Sequence, residues 1–175
     1  MSRTLRIRIK RCRILYIRLL LCILGRAVPR TLYLSREAGE EARNFPEGYR
    51  ILLGLRAPGP ALILESDGLG QLYPVSDKEN SADLEIRLKS AEAAFRLFTF
   101  RESTAVSEAG GRLIAAGNLA KVLSFIRIID AVEILLLPRV LARRAVKLWR
   151  KPDRLILKRM ILYASLLFPA AKRRA

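Results

Sequence analysis

Few side chains in this sequence could do chemistry, and their spacing argues against a catalytic site. The 175 residues include no histidine. That removes Ser-His-Asp triads, Cys-His dyads and imidazole-held metals. The two cysteines, Cys12 and Cys22, form neither a CxxC pair nor a zinc spacing, and read as reduced thiols in an apolar segment. Carboxylates stand at Asp83, Glu85, Asp130 and Glu133. The first two alternate with Leu84 and Ile86, as the solvent face of a strand would. The second two, in Asp-Ala-Val-Glu, have the spacing of a capping box, which predicts a break and a new helix start at Asp130. Residues 68–72, GLGQL, are too short for a dinucleotide fingerprint and read as a turn between strands. With no phosphate loop, GxSxG or metal cluster in view, the expectation is a protein that is not an enzyme and holds no resident cofactor or metal.

The remaining chemistry is that of charge and apolar surface. Residues 1–30 carry nine Lys/Arg and no acid, and residues 139–175 carry twelve against a single acid, Asp153. Between them, twelve basic residues face fifteen acidic ones. The formal charge of +17 therefore belongs to the two ends, and basic ends point to an anionic partner, either a membrane surface or nucleic acid.

The elements that must position these groups follow from the pattern. Residues 1–45 predict a basic and apolar N-terminal helical extension. Arg3, Arg6, Lys10 and Arg13 share one face, and the apolar run 14–25 is interrupted by Arg18 and ended by Pro29. That run is short of a spanning helix, and Gly25-Arg26-Ala27-Val28 is a poor cleavage site, so an interfacial or docked helix is expected rather than an anchor or signal peptide. A second helix is expected over 31–44. Residues 46–138 predict the globular domain. Strands are expected over 49–57, 61–65, 69–75 and 82–88, a helix capped by Ser90, a buried strand over 112–116, and then two apolar helices, 119–129 and one running from Asp130 to Pro138. Residues 139–175 predict basic amphipathic helices. Arg139, Arg143, Lys147, Trp149, Arg150 and Arg154 supply a cationic, membrane-contacting stripe beside apolar faces.

The order β-β-β-β-α-β-α, with ADLEIRLKSAEAAFRLF followed by GGRLIAAGNLAKVLSF, resembles the sterol carrier protein type 2 family. Gly111-Arg112-Leu113-Ile114 and Gly117-Asn118 match that family's strand before a long apolar helix. The segment RIIDAVEILLLPRVLARR is similar to the bacterial branch that assists ubiquinone biosynthesis. The family pattern covers residues 49–138, and the narrower one 119–150. The resemblance implies an α+β fold, a mixed sheet of about five strands covered by helices, with a hydrophobic lipid tunnel.

Apolar helical faces in excess of what one sheet needs also suggest a site for an apolar ligand. Phe95, Phe98, Phe100, Leu123, Ile126 and Ile129 are the candidate lining. The expectation is a non-enzymatic lipid carrier, cytoplasmic and peripheral to an anionic membrane, whose ligand is an isoprenoid quinone precursor, a sterol-like lipid or a phospholipid. Partners would be that lipid, the membrane, lipid- or quinone-modifying enzymes, or a second copy of the chain. The alternative is nucleic-acid binding through the basic ends. Cations interleaved with Leu and Ile rather than with stacking aromatics weigh against it.

Overall fold

The computed structural model describes residues 3–76, 82–99, 107, 110–136 and 155–167. In chain order they form α1 (Arg3–Leu34), α2 (Arg36–Ala42), β1 (Arg50–Leu55), β2 (Ala61–Ser66), β3 (Leu72–Val75), β4 (Leu84–Leu88), α3 (Ala91–Phe98), β5 (Leu113–Ala116), α4 (Leu119–Leu136) and α5 (Leu155–Leu167). The expected α+β class holds: the strands make one mixed sheet in the order β3-β2-β1-β4-β5. β1 pairs parallel with β4, and every other neighbouring pair is antiparallel.

The core is organised by α1, which the sequence reading had placed outside the domain. Ile17, Leu21, Leu24, Val28 and Leu32 recur at helical spacing and are all at most 5 % exposed. This stripe packs against β2, β3, α2, α3, α4 and α5. The segment expected as an extension thus packs into the core from Ile17 onward. Pro29 does not end it. The ring removes one hydrogen bond, that from its own nitrogen to the carbonyl of Gly25, while burial of Val28, Thr31 and Leu32 carries the helix on to Leu34. Gly25 lets α1 lie close to the sheet: a Cβ there would stand 2.9 Å from Leu62 Cδ1, which would have to turn aside, and 3.5 Å from Pro74 Cβ.

Ser35 then divides the helix expected over 31–44. Its extended backbone leaves α1, and its hydroxyl caps α2 by accepting from the Ala38 amide at 3.4 Å. Ser90 does the same for α3, accepting from Ala93 at 3.1 Å. The 66–72 turn is built by Asp67, whose Oδ1 accepts from the amides of Leu69 and Gln71 at 2.8 and 2.9 Å. GLGQL is therefore a strand connection, as its length predicted.

The sheet's inner face carries Ile51, Leu53, Leu55, Leu64, Leu84, Ile86 and Leu88 into the core. Its outer face, fixed by register, carries Arg50, Leu52, Gly54, Ile63, Glu65, Glu85, Arg87, Ile114 and Ala116. The ion pairs Arg50–Glu65 (2.9 Å) and Arg87–Glu85 (2.7 Å) lie on that outer face. β5 was expected to be buried. As the edge of the sheet it is not: Leu113 is half-buried and Ile114, Ala115 and Ala116 are exposed.

Gly117 and Asn118 join β5 to α4. Gly117 has φ of 129° and lies so close to β4 that a Cβ would stand 2.9 Å from the Asp83 carbonyl oxygen, so only glycine fits without strain. Asn118 caps α4, its Oδ1 accepting from the Ala120 amide at 2.9 Å. The break expected at Asp130 is absent, and α4 is one 18-residue helix. Val122, Phe125, Ile128, Val132 and Leu135 run as one continuous buried stripe through the supposed junction, and their packing outweighs the local capping pattern. The basic stripe expected over 139–154 and Phe100 lie outside the described residues.

Candidate functional site

Two surfaces built on this framework have functional character, and neither is an array of polar groups around a reacting atom. The first is the margin of the core, to which α3 and α4 each contribute half-buried apolar residues. Phe98, Ile126 and Ile129 rest half-buried against the core cluster. Phe95 turns toward α1 instead, edge-on to Tyr16 with ring centroids 5.4 Å apart and with the Arg13 guanidinium 5.5 Å from its centroid. Arg13 also reaches Glu92 at 3.8 Å, so this aromatic corner is tied to the charged end of α3. Leu123 is 49 % exposed. Of the five candidate lining residues that are described, three therefore rest half-buried on the core cluster, Phe98 from α3 and Ile126 and Ile129 from α4, one belongs to the α1–α3 contact and one points outward.

The outward face of α4 has a direction. Leu119, Leu123, Ile126, Asp130 and Glu133 follow one another at intervals of three or four residues. Exposure falls along them, from 71 % at Leu119 to half-buried positions at Ile126, Asp130 and Glu133. The two acids thus sit in an apolar setting near the covered end of the face. Burial raises the Asp130 pKa from its ordinary value. Burial, followed by the neighbouring Asp130 charge, raises that of Glu133 to about 7. These are the acids read from sequence as a helix cap; the helix carries them mid-length instead.

α4 is fixed at both ends of its course. Glu41 of α2 meets Arg127 at 2.6 Å, and Asn44 Nδ2 donates to Ser124 Oγ at 3.0 Å. Burial by itself would raise the Glu41 pKa, but hydrogen bonds from Arg127, Ser124 and Asn44, with the Arg127 charge, leave it lowered. The Lys121 ammonium sits 3.8 Å from the Tyr49 ring centroid. At the far end α5 supplies the cap. Arg159 donates to the Ile134 carbonyl at 2.9 Å and the Tyr163 hydroxyl donates to that of Leu136 at 2.7 Å, satisfying carbonyls that the helix end leaves open.

The second surface is the solvent face of α1 and α5. On α1, Arg11, Leu15, Arg18, Cys22 and Arg26 are exposed and share one face, with Leu19 beside them. Leu15 and Leu19 are 68 % and 59 % exposed. On α5, which packs against α1 and α4, Ile156, Leu157, Met160, Ile161 and Tyr163 are all exposed. The exposed apolar residues among them are not marked out by the sequence alone. Their signal was present, as apolar side chains recurring beside arginine at helical spacing, but which stripe faces the core is decided only by the fold. Both cysteines are free and exposed, and ten residues apart on one helix they stand about 15 Å from each other, beyond disulfide reach. No helix among the described residues is long and apolar enough to cross a membrane, and no group of three or more metal-ligating side chains occurs among them.

No family model and no curated protein matches the chain. Among solved structures it is similar to a UbiJ-SCP2 ubiquinone synthesis protein, at 18 % identity over 67 % of this chain and 96 % of that one, with a TM-score of 0.45. It is similar to sterol carrier protein 2 from Yarrowia lipolytica, at 14 % identity over 62 % and 88 %, with a TM-score of 0.42. A conserved hypothetical protein from Thermus thermophilus gives 15 % identity over 69 % and 85 %, with a TM-score of 0.40.

Proposed function

We propose that this protein is a non-enzymatic lipid-binding carrier that works while docked on an anionic membrane surface. The observation that carries this reading is the exposed face of α1 and α5. Ile156 and Met160 are 67 % and 65 % exposed on α5, and Leu15 and Leu19 stand among Arg11, Arg18 and Arg26 on α1. Apolar side chains at this exposure, interleaved with cations whose stems can lie along them, suit the boundary between headgroups and acyl chains. Each exposed Lys or Arg near an anionic surface adds about 1 kcal/mol of attraction. The half-buried residues Phe98, Ile126 and Ile129 would offer the apolar ligand its contact, and the cations of residues 139–154 would add to the docking charge. The resemblance at 111–118 and 130–133 favours an isoprenoid quinone precursor, with an accessory role beside quinone-modifying enzymes; a sterol-like lipid or phospholipid would suit the same margin.

The test has two parts. Protein purified in mild detergent is extracted with organic solvent and the extract is analysed by mass spectrometry, which should return a stoichiometric apolar lipid. Flotation with vesicles containing phosphatidylglycerol should carry the protein up, while pure phosphatidylcholine should not. An empty extract and a protein that stays at the bottom of the gradient, with nucleic acid co-purifying, would replace this reading with the nucleic-acid one.

A further inference from the structure

The outer face of the sheet holds a groove that neither the core margin nor the docking face uses. It has a volume of about 240 Å³ and is lined by Arg56, Glu85, Arg87, Leu88, Lys89, Ile114 and Ala116. It lies where β1, β4 and β5 come together at one end of the sheet. The Arg56 amide donates to the Leu88 carbonyl at 3.0 Å and the Lys89 amide to the Arg112 carbonyl at 2.9 Å, so the cation-bearing strand ends are locked side by side by backbone bonds. Register places Arg87 opposite Ile114 and Glu85 opposite Ala116, and the small Ala116 side chain leaves the space open.

The charge of the groove is uneven in an informative way. Glu85 is its one carboxylate, and it already accepts from Arg87 Nε at 2.7 Å. No carboxylate among the described residues pairs with Arg56 or Lys89. Two cations with no carboxylate partner among the described residues, and a third held in place by its own acid, therefore border a recess whose lining is mostly apolar. The guanidinium planes of Arg56 and Arg87 suit paired oxygens, and the Lys89 ammonium supplies a point charge. The volume equals about eight waters, room for one phosphate and a short stem.

We propose that this groove binds the phosphate of a small organic phosphate, with the oxygens held by Arg56, Arg87 and Lys89 and the stem against Ile114 and Ala116. The site is separate from the docking face and does not depend on the carrier reading. The probe is glycerol 3-phosphate, titrated at low salt into the full chain while the methyl resonances of Ile114 and Ala116 are followed. Both should shift saturably. Arg56→Gln and Lys89→Gln should each weaken binding about tenfold, the loss expected for one charge-assisted contact. Glu85→Gln, which removes the internal competitor, should tighten it. Leu19→Ala, on the docking face, should leave it unchanged. Arg56 and Lys89 are exposed, so their replacement leaves the fold intact. Vesicles of phosphatidic acid form the second arm. If they shift the methyls and glycerol 3-phosphate does not, the phosphate is that of a lipid headgroup; if the soluble compound shifts them, it is that of a free metabolite. If neither does, or if the Arg56 and Lys89 variants bind within twofold of the native chain, the proposal is wrong.

Discussion

Replacing Glu133 with glutamine should stabilise the protein, and only above a definite pH. The carboxyl has an ordinary value of 4.5, raised to about 7 in the fold by burial and by the Asp130 charge. Between those values the unfolded chain has released the proton and the native chain still holds it. Stability therefore falls as pH rises from about 4.5 to about 7 and levels off above. A difference of this size corresponds to about 3 kcal/mol between the two ends of the window. Glutamine has no proton to lose, so Glu133→Gln should match the native protein near pH 4.5 and exceed it by up to about 3 kcal/mol at pH 8. At about 2–4 °C per kcal/mol for a chain of this length, the rise in melting temperature is about 6–12 °C. Calorimetric scans of both proteins from pH 4.5 to 8 provide the test. Asp130→Asn, which removes the second cause of the shift, should narrow the window from its upper end. Parallel pH profiles for the native chain and Glu133→Gln would show that Glu133 is not buried as described, and the account of the α4 outer face would fall with it.

Other substitutions examine separate parts of the argument. Leu21→Ala removes a core side chain that is 3 % exposed and should cost about 2–5 kcal/mol in denaturant unfolding, whereas Leu19→Ala, two residues earlier and 59 % exposed, should stay within about 0.5 kcal/mol yet weaken vesicle flotation. Gly117→Ala forces a Cβ against the Asp83 carbonyl at a φ of 129°, and should cost about 1–3 kcal/mol; unchanged stability would show that the β5–α4 turn is misdrawn. Glu41 has a lowered pKa, so its contribution to stability is present above the ordinary carboxylate value and is lost as pH falls through the folded one. Arg127→Gln should move the Glu41 titration, read by carboxyl chemical shift, upward. Arg127 is largely exposed, so the accompanying loss of stability should be under about 1 kcal/mol.

The parts of the fold that were legible in the sequence are those whose signals are local. Ser90 announced its helix because a cap needs only its own oxygen and the next turn's amides. Leu84, Ile86 and Leu88 announced β4 because alternation is a property of five residues. What failed depended on distant partners. Arg18 interrupts an apolar run without saying which side of the helix is buried: it stands on the exposed face while Ile17 and Leu21 go inward, and only the sheet beneath shows which face that is. Asp-Ala-Val-Glu satisfied the rule for a helix start, but Val132 was already committed to the core stripe of α4. The candidate lining suffered in the same way. Phe95 and Phe98 lie three residues apart on one helix, and α1 claims the first while the core margin keeps the second.

The two faces of α1 constrain how docking can work. Its buried face places Ile17, Leu21, Leu24, Val28 and Leu32 against the rest of the protein, and full burial of such side chains is worth about 1.5–3 kcal/mol each. If α1 left the core to enter the bilayer, lipid would cover these five again. The stripe of Val122, Phe125, Ile128, Val132 and Leu135 on α4 would lose the part of its cover that α1 supplies, with α2 and α5 still against the same helix, and what it exposed would pass into water. Exposing a few such side chains costs a large fraction of the stability of an ordinary domain. On the proposed carrier reading, docking would therefore use the outer faces of α1 and α5 with the core closed, and a lipid would exchange at the half-buried residues Phe98, Ile126 and Ile129. Amide hydrogen exchange on vesicle-bound protein decides the point. The amides of α4 from Val122 to Leu135 should stay as protected as in free solution, and a loss of their protection on binding would mean that α1 leaves the core.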